Sequence, residues 1–495
     1  MTLYPKLVRN VFYPLSLWRN GDLEELRCLS EYERTQFLSP DAIRDLQWHR
    51  LRDLLDRAYA RCPLYRERFE RAGLTPQDLR GLDDLRALPI LEKRDIQERG
   101  EDMVARDWPR GDLIPNQTGG STGTPISFYL SKARKCSRAA ATLRHNRWAG
   151  WRVGDRAAVL WGAPRDRPTN TWKSRLRSVL LREPMWLDAG HLTEARLAEF
   201  HTNLLRYRPR ILQAYARAAV LFARYLQAVG ATPHRPHSIV TSAEVLEEDD
   251  RRLLEDTFGC PVYNRYGCRE VSVIASECSA HCGLHVMAEG LYLEIETPKG
   301  PAAPGEMGSI LVTDLLNHAM PLIRYRIGDL GAWANGACPC GRGLPRLKSV
   351  SGRVTDFLVG DDGRLVSGVF LATYVIAQRP SLGQVQILQQ RRGAVTYRIK
   401  PGRNFNPVED LEYLQNATHR HLGDATSIDS EVVNELPAEP SGKFLFSRST
   451  VAQGFLLQRR DESAAVLTSL SEVDRACLSL SSDSTLSKVA RLRKP

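Results

Sequence analysis

The stretch Thr118-Gly119-Gly120-Ser121-Thr122-Gly123-Thr124-Pro125 concentrates three glycines and four hydroxyl side chains in eight positions. Glycine lets the backbone turn its N–H groups toward a ligand, and Ser and Thr hydroxyls add further donors. A ligand rich in acceptor oxygens, above all a polyphosphate, suits such a loop. The loop is not a Walker A sequence, because no Gly-Lys-Ser/Thr follows it and the alternation of 126–130 predicts a strand instead of a helix. The alternative is a flexible Gly/Ser/Thr linker.

A second candidate site follows the apolar run that ends at Tyr266-Gly267, where Arg269 and Glu270 come next. A carboxylate is a ligand that Mg²⁺ prefers, and Mg²⁺ neutralises phosphate charge during displacement at phosphorus. The motif is weak alone and gains weight only from its place after the glycine-rich loop.

Soft metal ligands form two short groups, which contain Cys278, His281, Cys282 and His285 in one and Cys338 and Cys340 in the other. Thiolates and imidazoles at such spacings make tetrahedral Zn²⁺ sites, and a site with four protein ligands is structural. The alternative is a set of free cysteines and surface histidines. A hydrolytic zinc enzyme is not indicated, because the sequence has no His-Glu-x-x-His.

The elements that must position these residues are predicted from apolar runs. Strands are expected at 157–162, 211–215 and 237–241, with a helix at 218–229. Strand–helix–strand alternation predicts an α/β domain with a largely parallel sheet, in which ligands bind beyond the carboxyl ends of strands. The loops at 162–164 and at Ser242-Ala243-Glu244 are expected at that edge.

The pattern changes after residue 353. A tight turn at 361–363, strands at 385–387 and 395–399 and a helix at 411–421 predict a small α+β domain. The Ser-rich stretch from about residue 452 cannot bury much apolar surface, so we expect a mostly disordered tail.

Taken in chain order, these motifs resemble those of the adenylate-forming, or acyl-CoA synthetase, superfamily, and within it the phenylacetate–CoA ligases and the CapK proteins of capsule gene clusters. The resemblance spans about residues 65–444. It implies a large N-terminal AMP-binding domain with mixed and parallel sheets over 1–352, including a helical lead-in over 1–62. A small mobile C-terminal domain over 353–450 and a tail over 451–495 would follow.

The resemblance also implies roles for individual residues. Ser242-Ala243-Glu244 would touch the adenine of ATP, and the aromatic ring of Tyr266 would stack on it. Glu270 would bind Mg²⁺, and Arg269 stands where most members have Thr or Ser, a departure that CapK-like proteins share. The other residues assigned to the nucleotide are Thr118, Gly119, Gly120, Ser121, Thr122, Gly123, Thr124, Asn264, Gly267, Asp329 and Arg353, the last two at the ribose. Lys443, in a Ser-Gly-Lys motif, would be the catalytic lysine.

Some relatives of the phenylacetate–CoA ligases carry a zinc site with one Cys and one His from the first group and two Cys from the second. On that pattern the ligands would be Cys278, His285, Cys338 and Cys340. The sequence leaves Cys282 open as an alternative to His285.

The reaction implied is ATP-dependent activation of a small-molecule carboxylic acid to acyl-AMP, followed by transfer to a thiol, most simply that of CoA. The alternatives are a ligase that passes acyl-AMP to an amine, a hydroxyl or a carrier protein, and an enzyme that transfers AMP to a cofactor. A non-catalytic basic binding protein is the alternative from another class. The sequence does not identify the acid, and it leaves a homodimer open.

The net charge of +11 is concentrated between Lys132 and Arg182, a stretch that contains fourteen Lys and Arg residues and only two acidic residues. One hypothesis is a landing surface for CoA or an acidic carrier protein, with Arg134 and Arg138 exposed on one helix face. The other is a solvated helix face. No nucleic-acid-binding motif accompanies the charge.

The N-terminal segment and the cysteines bear on location. Ten cysteines without a secretion signal predict a reducing cytoplasm, and no apolar run is long enough for a transmembrane helix. Apolar residues between Tyr4 and Trp18 could rest on a membrane surface, but packing onto the protein body is the expectation.

Overall fold

The structure is a computed structural model that describes residues 3–118, 126–161, 172–189, 194–243, 246–297, 299–351, 357–362, 365–367, 371, 375–436, 447–449 and 451. These residues form two compact units, and the division falls between Ser351 and Phe357. Each unit has its own hydrophobic core. The predicted tail, from residue 452 on, lies outside the described residues.

The larger unit begins with helices that lead into a β-hairpin. Its helices are α1 Leu3–Leu7, a π-helical segment Val8–Phe12, α2 Tyr13–Asn20, α3 Glu24–Thr35, α4 Pro40–Arg61, α5 Pro63–Arg71, α6 Lys93–Arg99, α7 Lys132–Trp148, α8 Trp172–Leu181, α9 Glu194–Tyr207, α10 Ala216–Ala228 and α11 Glu248–Phe258. Helix α4 starts after Ser39, whose hydroxyl caps it by accepting a hydrogen bond from the Ala42 N–H at 3.2 Å.

The strands of the larger unit form the hairpin and one twelve-stranded sheet. They are β1 Ile114–Gln117, β2 Ser127–Leu130, β3 Ala157–Trp161, β4 Met185–Asp188, β5 Ile211–Tyr215, β6 Ser238–Ser242, β7 Val262–Cys268, β8 Ser272–Glu277, β9 Leu284–Val286, β10 Leu291–Thr297, β11 Gly300–Pro301, β12 Gly308–Asp314, β13 Tyr325–Trp333 and β14 Arg346–Ser351. The order in the sheet is β11-β10-β12-β13-β14-β9-β8-β7-β6-β5-β3-β4.

This sheet is mixed. In the order of the sheet, the five strands from β4 to β7 pair in parallel. The strands from β7 to the other edge, at β11, pair antiparallel. The parallel half corresponds to the apolar runs of the sequence, whose strands are buried on both faces and therefore lack polar alternation. The predicted α/β class is confirmed, and the antiparallel half is the part that strand–helix alternation does not reveal.

The smaller unit is an α+β domain, as predicted. Its elements are β15 Phe357–Val359, β16 Leu365–Ser367, β17 Gln384–Arg391, β18 Ala394–Lys400, α12 Pro407–Leu422, β19 Ser427–Val432 and β20 Ser447–Ser449. Four strands form a sheet in the order β19-β18-β17-β20. The apolar face of α12 contributes Leu414 to a core that also contains Ile387 and Tyr397.

Helix α7 connects the hairpin to the large sheet, and two of its arginines are buried. The Arg134 guanidinium is 1% exposed and forms an ion pair of 2.7 Å with Asp314 at the end of β12. It also donates to the Ser137 hydroxyl at 2.8 Å and to the Val271 carbonyl at 3.1 Å. The expectation that Arg134 is an exposed part of a landing surface is therefore wrong.

Arg144, on the same helix, is also fully buried. It forms a bidentate ion pair with Glu289, at 2.5 and 3.1 Å, and donates to the Tyr32 carbonyl at 3.0 Å. The Thr35 hydroxyl donates to the same carboxylate at 2.8 Å. Because desolvated charges need partners, this network joins α3, α7 and the loop before β10.

We predict that Arg144→Ala destabilises the larger unit by about 3–5 kcal/mol, because it leaves the Glu289 carboxylate buried without its cation. The matched control is Arg147→Ala on the same helix, which removes a half-exposed pair with Glu33 and should cost about 0–1 kcal/mol. Urea unfolding followed by tryptophan fluorescence compares the two. Equal losses for both variants would contradict the assignment.

Candidate active site and cysteine–histidine cluster

The stem of the glycine-rich loop is closed by Thr118. Strands β1 and β2 pair antiparallel up to Gln117 and Ser127. Beyond this pair, the Thr118 N–H donates to the Ile126 carbonyl at 3.0 Å, and the Ile126 N–H donates to the Thr118 hydroxyl at 2.9 Å. These two hydrogen bonds between Thr118 and Ile126 close the base of the loop. The remainder of the loop, Gly119 to Thr124, lies outside the described residues, as do Glu244, Arg353 and Lys443.

The carboxyl ends of the parallel strands β6 and β7 bring the next candidates together. Ser242 is the last residue of β6 and pairs with Arg265, and Thr241 pairs with Asn264. Ala243 follows with a φ of +70°, a left-handed conformation that is uncommon for a residue with a side chain. The chain therefore turns sharply beyond β6, at the edge where open α/β sheets bind ligands.

Two motifs that are distant in the sequence meet at Tyr266. Its hydroxyl donates to the Asp329 carboxylate on β13 at 2.8 Å. The next residue is Gly267, which lies at a β-bulge, and a Cβ there would lie 2.4 Å from the Ser272 carbonyl oxygen. Only glycine permits this close approach of two backbones, so the bulge directs Tyr266 toward β13.

Glu270 is buried in the turn between β7 and β8, with 8% of its surface exposed. The hydroxyl of Tyr325, at the start of β13, donates to its Oε1 at 3.1 Å. Burial and the charge of Glu270 raise the pKa of the neighbouring Cys268 thiol well above its ordinary value. Cys268 therefore stays protonated at neutral pH, which argues against a nucleophilic cysteine beside this carboxylate.

Two arginines of helix α7 bind the backbone of the turn that carries Glu270. A terminal nitrogen of Arg138 donates to the Arg269 carbonyl at 2.7 Å. A terminal nitrogen of Arg134 donates to the Val271 carbonyl at 3.1 Å. The two guanidiniums thus bind the residues immediately before and after Glu270, and α7 itself follows directly from the hairpin that carries the glycine-rich loop.

The structure thereby joins Tyr266, Glu270 and Asp329, while Ser242 and Ala243 lie at the end of β6 and Asn264 lies within β7, opposite Thr241. Glu270 fits a divalent cation site, since its oxygens are the hard donors that Mg²⁺ prefers. Sequence reasoning missed the positioning residues Tyr325, Arg138 and Arg134, because nothing in their local pattern reveals the partner. It also missed an aromatic pair at the ends of β3 and β5, Trp161 and Tyr215, with ring centroids 4.3 Å apart.

The cysteine–histidine cluster lies beyond the carboxyl ends of β8 and β13, whereas Glu270 lies before the start of β8. Cys278 follows β8, His285 is on β9, and Cys338 and Cys340 are in the loop between β13 and β14. Because β9 lies between β8 and β14 in the sheet, the topology brings the two groups together. The potential ligand atoms of these four residues all lie within 4.8 Å of one another.

The geometry of this donor set fits tetrahedral Zn²⁺. The sulfurs of Cys278 and Cys338 are 3.7 Å apart, and Nε2 of His285 is 3.3 Å from the Cys340 sulfur. Zn–S bonds of about 2.3 Å at tetrahedral angles require a sulfur–sulfur separation of about 3.8 Å. Burial lowers the pKa of His285 to about 4, aided by the charge of Arg342. Its imidazole is therefore neutral at pH 7, as a metal ligand must be.

Cys282, the alternative to His285, has a different environment. Its thiol is exposed and donates to the Ala280 carbonyl at 3.1 Å. The four residues that the structure brings together do not include it.

Comparison with known proteins places these motifs in context. The chain matches the family described as CapK C-terminal domain over residues 358–449. It is 28% identical over 340 residues to the phenylacetate-coenzyme A ligase of Pseudomonas putida, covering 65% of this chain and 73% of the relative. Over 389 residues it is 25% identical to protein CapK of Staphylococcus aureus, covering 74% and 81%.

Among solved structures, the chain resembles 2-hydroxyisobutyryl-CoA ligase in complex with 2-HIB-AMP and CoA in the thioesterification state. The TM-score is 0.61 at 21% identity, covering 86% of this chain and 94% of that one. A likeness at this identity establishes the fold, and the adenylate-forming fold implied by the sequence motifs is thereby confirmed.

We predict that Gly267→Ala destabilises the larger unit by about 1–3 kcal/mol, since the new methyl group meets backbone atoms that cannot move aside. Gly81→Ala is the control, because a Cβ there has no atom within 4 Å. Thermal unfolding measures both, and hydrogen exchange of residues 266–272 should rise only in the first variant. An unchanged melting temperature for Gly267→Ala would show that the bulge tolerates a side chain.

Proposed function

This chain is a homologue of the phenylacetate–CoA ligases and of CapK, and we propose from that relationship that it activates a carboxylic acid with ATP and transfers the acyl group to CoA. The observation that supports this most directly is the meeting of Tyr266, Asp329 and Glu270. Tyr266 and Glu270 belong to one motif and Asp329 to another, and strand β13 contacts the first motif through both Asp329 and Tyr325.

In the proposed site, ATP lies at the carboxyl ends of β6 and β7. Tyr266, with Asn264 and Gly267 beside it, borders the adenine, as do the residues of the Ser242-Ala243-Glu244 turn. Asp329 and Arg353 bind the ribose hydroxyls. The glycine-rich loop from Thr118 to Thr124 surrounds the β- and γ-phosphates with N–H and hydroxyl donors.

The remaining groups would serve phosphoryl chemistry. Glu270 would hold Mg²⁺, which when bound neutralises charge on the phosphates. Arg269 would place a cation near the α-phosphate. Lys443, on the smaller unit, would stabilise the negative charge that develops as the displacement proceeds. Because Arg269 and Lys443 are assigned from the motifs alone, they are the residues that mutation must test.

The reaction has two steps. A carboxylate oxygen of the acid forms a bond to the α-phosphorus, and the bond between that phosphorus and the bridging oxygen breaks, so that pyrophosphate leaves. The CoA thiolate then forms a bond to the acyl carbon, and the acyl–phosphate bond breaks, so that AMP leaves. Trp161 and Tyr215, which lie at the same edge of the sheet, would form apolar walls for the acid.

Two alternative reactions begin, like the proposed one, with displacement at the α-phosphorus of ATP. In one, an amine, a hydroxyl or a carrier-protein thiol replaces CoA. In the other, AMP itself is transferred to a cofactor. Product analysis distinguishes both alternatives from the proposed reaction, because only the proposed reaction yields a CoA thioester.

We expect pyrophosphate release from ATP with at least one member of a carboxylic-acid panel, and a CoA thioester when CoA is added. Lys443→Ala should lower turnover by about 10²–10³-fold while ATP binding stays nearly constant, because the lysine acts mainly in the transition state. Lys400→Ala is the control, since Lys400 is an exposed lysine of the same unit. Mass spectrometry identifies the products.

Several outcomes would contradict parts of this proposal. Full turnover by Lys443→Ala removes the assigned role of the lysine. Pyrophosphate release without any thioester favours another acceptor. Absence of pyrophosphate release with every acid favours AMP transfer to a cofactor or a binding protein.

We also propose that Cys278, His285, Cys338 and Cys340 hold one structural Zn²⁺, which would tie β8, β9 and the loop before β14 together. Cys338→Ser should reduce the zinc content from about one ion per chain to near zero and lower the melting temperature, because bound metal contributes folding free energy. Cys282→Ser is the matched control and should change neither. Elemental analysis of protein purified without added metal decides, and metal-free protein of unchanged stability would rule the site out.

A further inference from the structure

The N-terminal helical segment exposes a row of large apolar side chains. Leu3, Leu7, Val11, Leu15 and Trp18 are between 37% and 73% exposed. Val179 and Leu180 of α8, both exposed, extend the row, so that seven of the sixteen exposed large apolar side chains among the described residues lie here. Exposed apolar side chains that are grouped in this way, instead of scattered singly, mark an interaction site. We call it the apolar ridge.

The ridge is fixed to the body of the protein by its other side. Val8 and Leu17 are buried. The Tyr4 hydroxyl donates to the carbonyls of Val179 and Leu180, at 3.3 and 3.2 Å, which joins α1 to α8. The segment therefore packs onto the body of the protein through one face, as the sequence predicts. Leu7, Leu15 and Trp18 lie on its other face and are exposed.

A π-helical segment keeps the ridge in line. In a regular α-helix, each four-residue step overshoots a full turn by about 40°. Residues spaced by four from Leu3 to Leu15 would therefore spiral around the axis. The segment Val8–Phe12 has i→i+5 hydrogen bonds, among them the Tyr13 N–H to the Val8 carbonyl, and its wider turn corrects the overshoot. Such a segment is costly and is characteristic of functional sites.

The helical segment that carries the ridge has charges of one sign. Between Leu3 and Asn20 the chain carries Lys6, Arg9 and Arg19 and no acidic residue. Lys6 and Arg19 are exposed and flank the apolar row. The acids nearby already have partners. Asp155 pairs with Arg9 and Arg210, and Glu183 pairs with Arg177. Of the acids that follow the segment, Asp22 pairs with Lys135, Glu24 pairs with Arg27, and Glu25 accepts a hydrogen bond from the Tyr13 hydroxyl.

We propose that the apolar ridge binds the surface of an anionic lipid bilayer, with its apolar side chains among the acyl chains and Lys6 and Arg19 at the headgroup phosphates. Apolar burial and attraction of cations to anionic lipids together give interfacial binding. A second copy of this chain fits less well, because a two-fold contact of the ridge with itself would bring Lys6 and Arg19 against equivalent cations. This role is independent of the acid that the enzyme activates.

Co-sedimentation of the full chain with vesicles tests the proposal. We expect binding to vesicles of phosphatidylglycerol and phosphatidylcholine and little binding to phosphatidylcholine alone, with a loss at high salt. The variant Leu7→Gln/Val11→Gln/Leu15→Gln should bind about tenfold or more weakly. Val408→Gln/Val432→Gln is the control, because these side chains are as exposed but lie on the smaller unit.

A second variant, Lys6→Glu/Arg19→Glu, keeps the apolar row and should also lose binding to anionic vesicles, so the test does not depend on one variant's folding. Melting temperatures check both. A parent protein that stays in the supernatant, or a triple variant that binds like the parent, would overturn the proposal. So would a parent dimer, seen by light scattering, that the triple variant converts to monomer without any vesicle binding.

Discussion

Two ion pairs buried along helix α7 determine how the larger unit is assembled. Arg134 with Asp314 and Arg144 with Glu289 are almost completely removed from water. Such charges are tolerated when they are paired, so the two ion pairs favour one position of the helix against α3 and the sheet. Apolar packing alone would allow small shifts of α7, whereas these bonds are directional. The position of the helix is therefore fixed by electrostatics at both of its ends.

The same helix determines the geometry of the candidate active site. Arg134 reaches past Asp314 to the Val271 carbonyl, and Arg138 binds the Arg269 carbonyl, so the turn at Glu270 is held from one side by α7. On the other side, Tyr325 binds the Glu270 carboxylate. The cysteine–histidine cluster lies at the far ends of β8 and β13, which lead to Glu270 and Asp329. A fixed metal there would limit sliding of these strands, which connects stability to the site.

The sequence allowed candidate residues of the site to be proposed but not the residues that hold them in place. Tyr266, Glu270 and Asp329 lie in short motifs whose order along the chain is specific, and Cys278 and Cys338 lie in groups of ligand types. Helical periodicity predicts that Arg134 is a surface cation, because it shows which residues share a face and not what that face contacts. Its partner, Asp314, is 180 positions away, and no local pattern encodes such a distance. The order of the antiparallel strands was unpredictable for the same reason.

Among the described residues, several of the cations between Lys132 and Arg182 have partners within the protein. Arg134 and Arg144 neutralise buried carboxylates, and Arg138 binds a carbonyl, while Lys135 pairs with Asp22 at 2.9 Å. A charge that is paired inside a protein contributes little to its external field. An anion is therefore attracted mainly by exposed cations that have no acidic neighbour. Among the described residues, the exposed Lys6 and Arg19 beside the apolar ridge belong to this class, so net charge per segment is a poor guide to where a polyanion or an anionic surface binds.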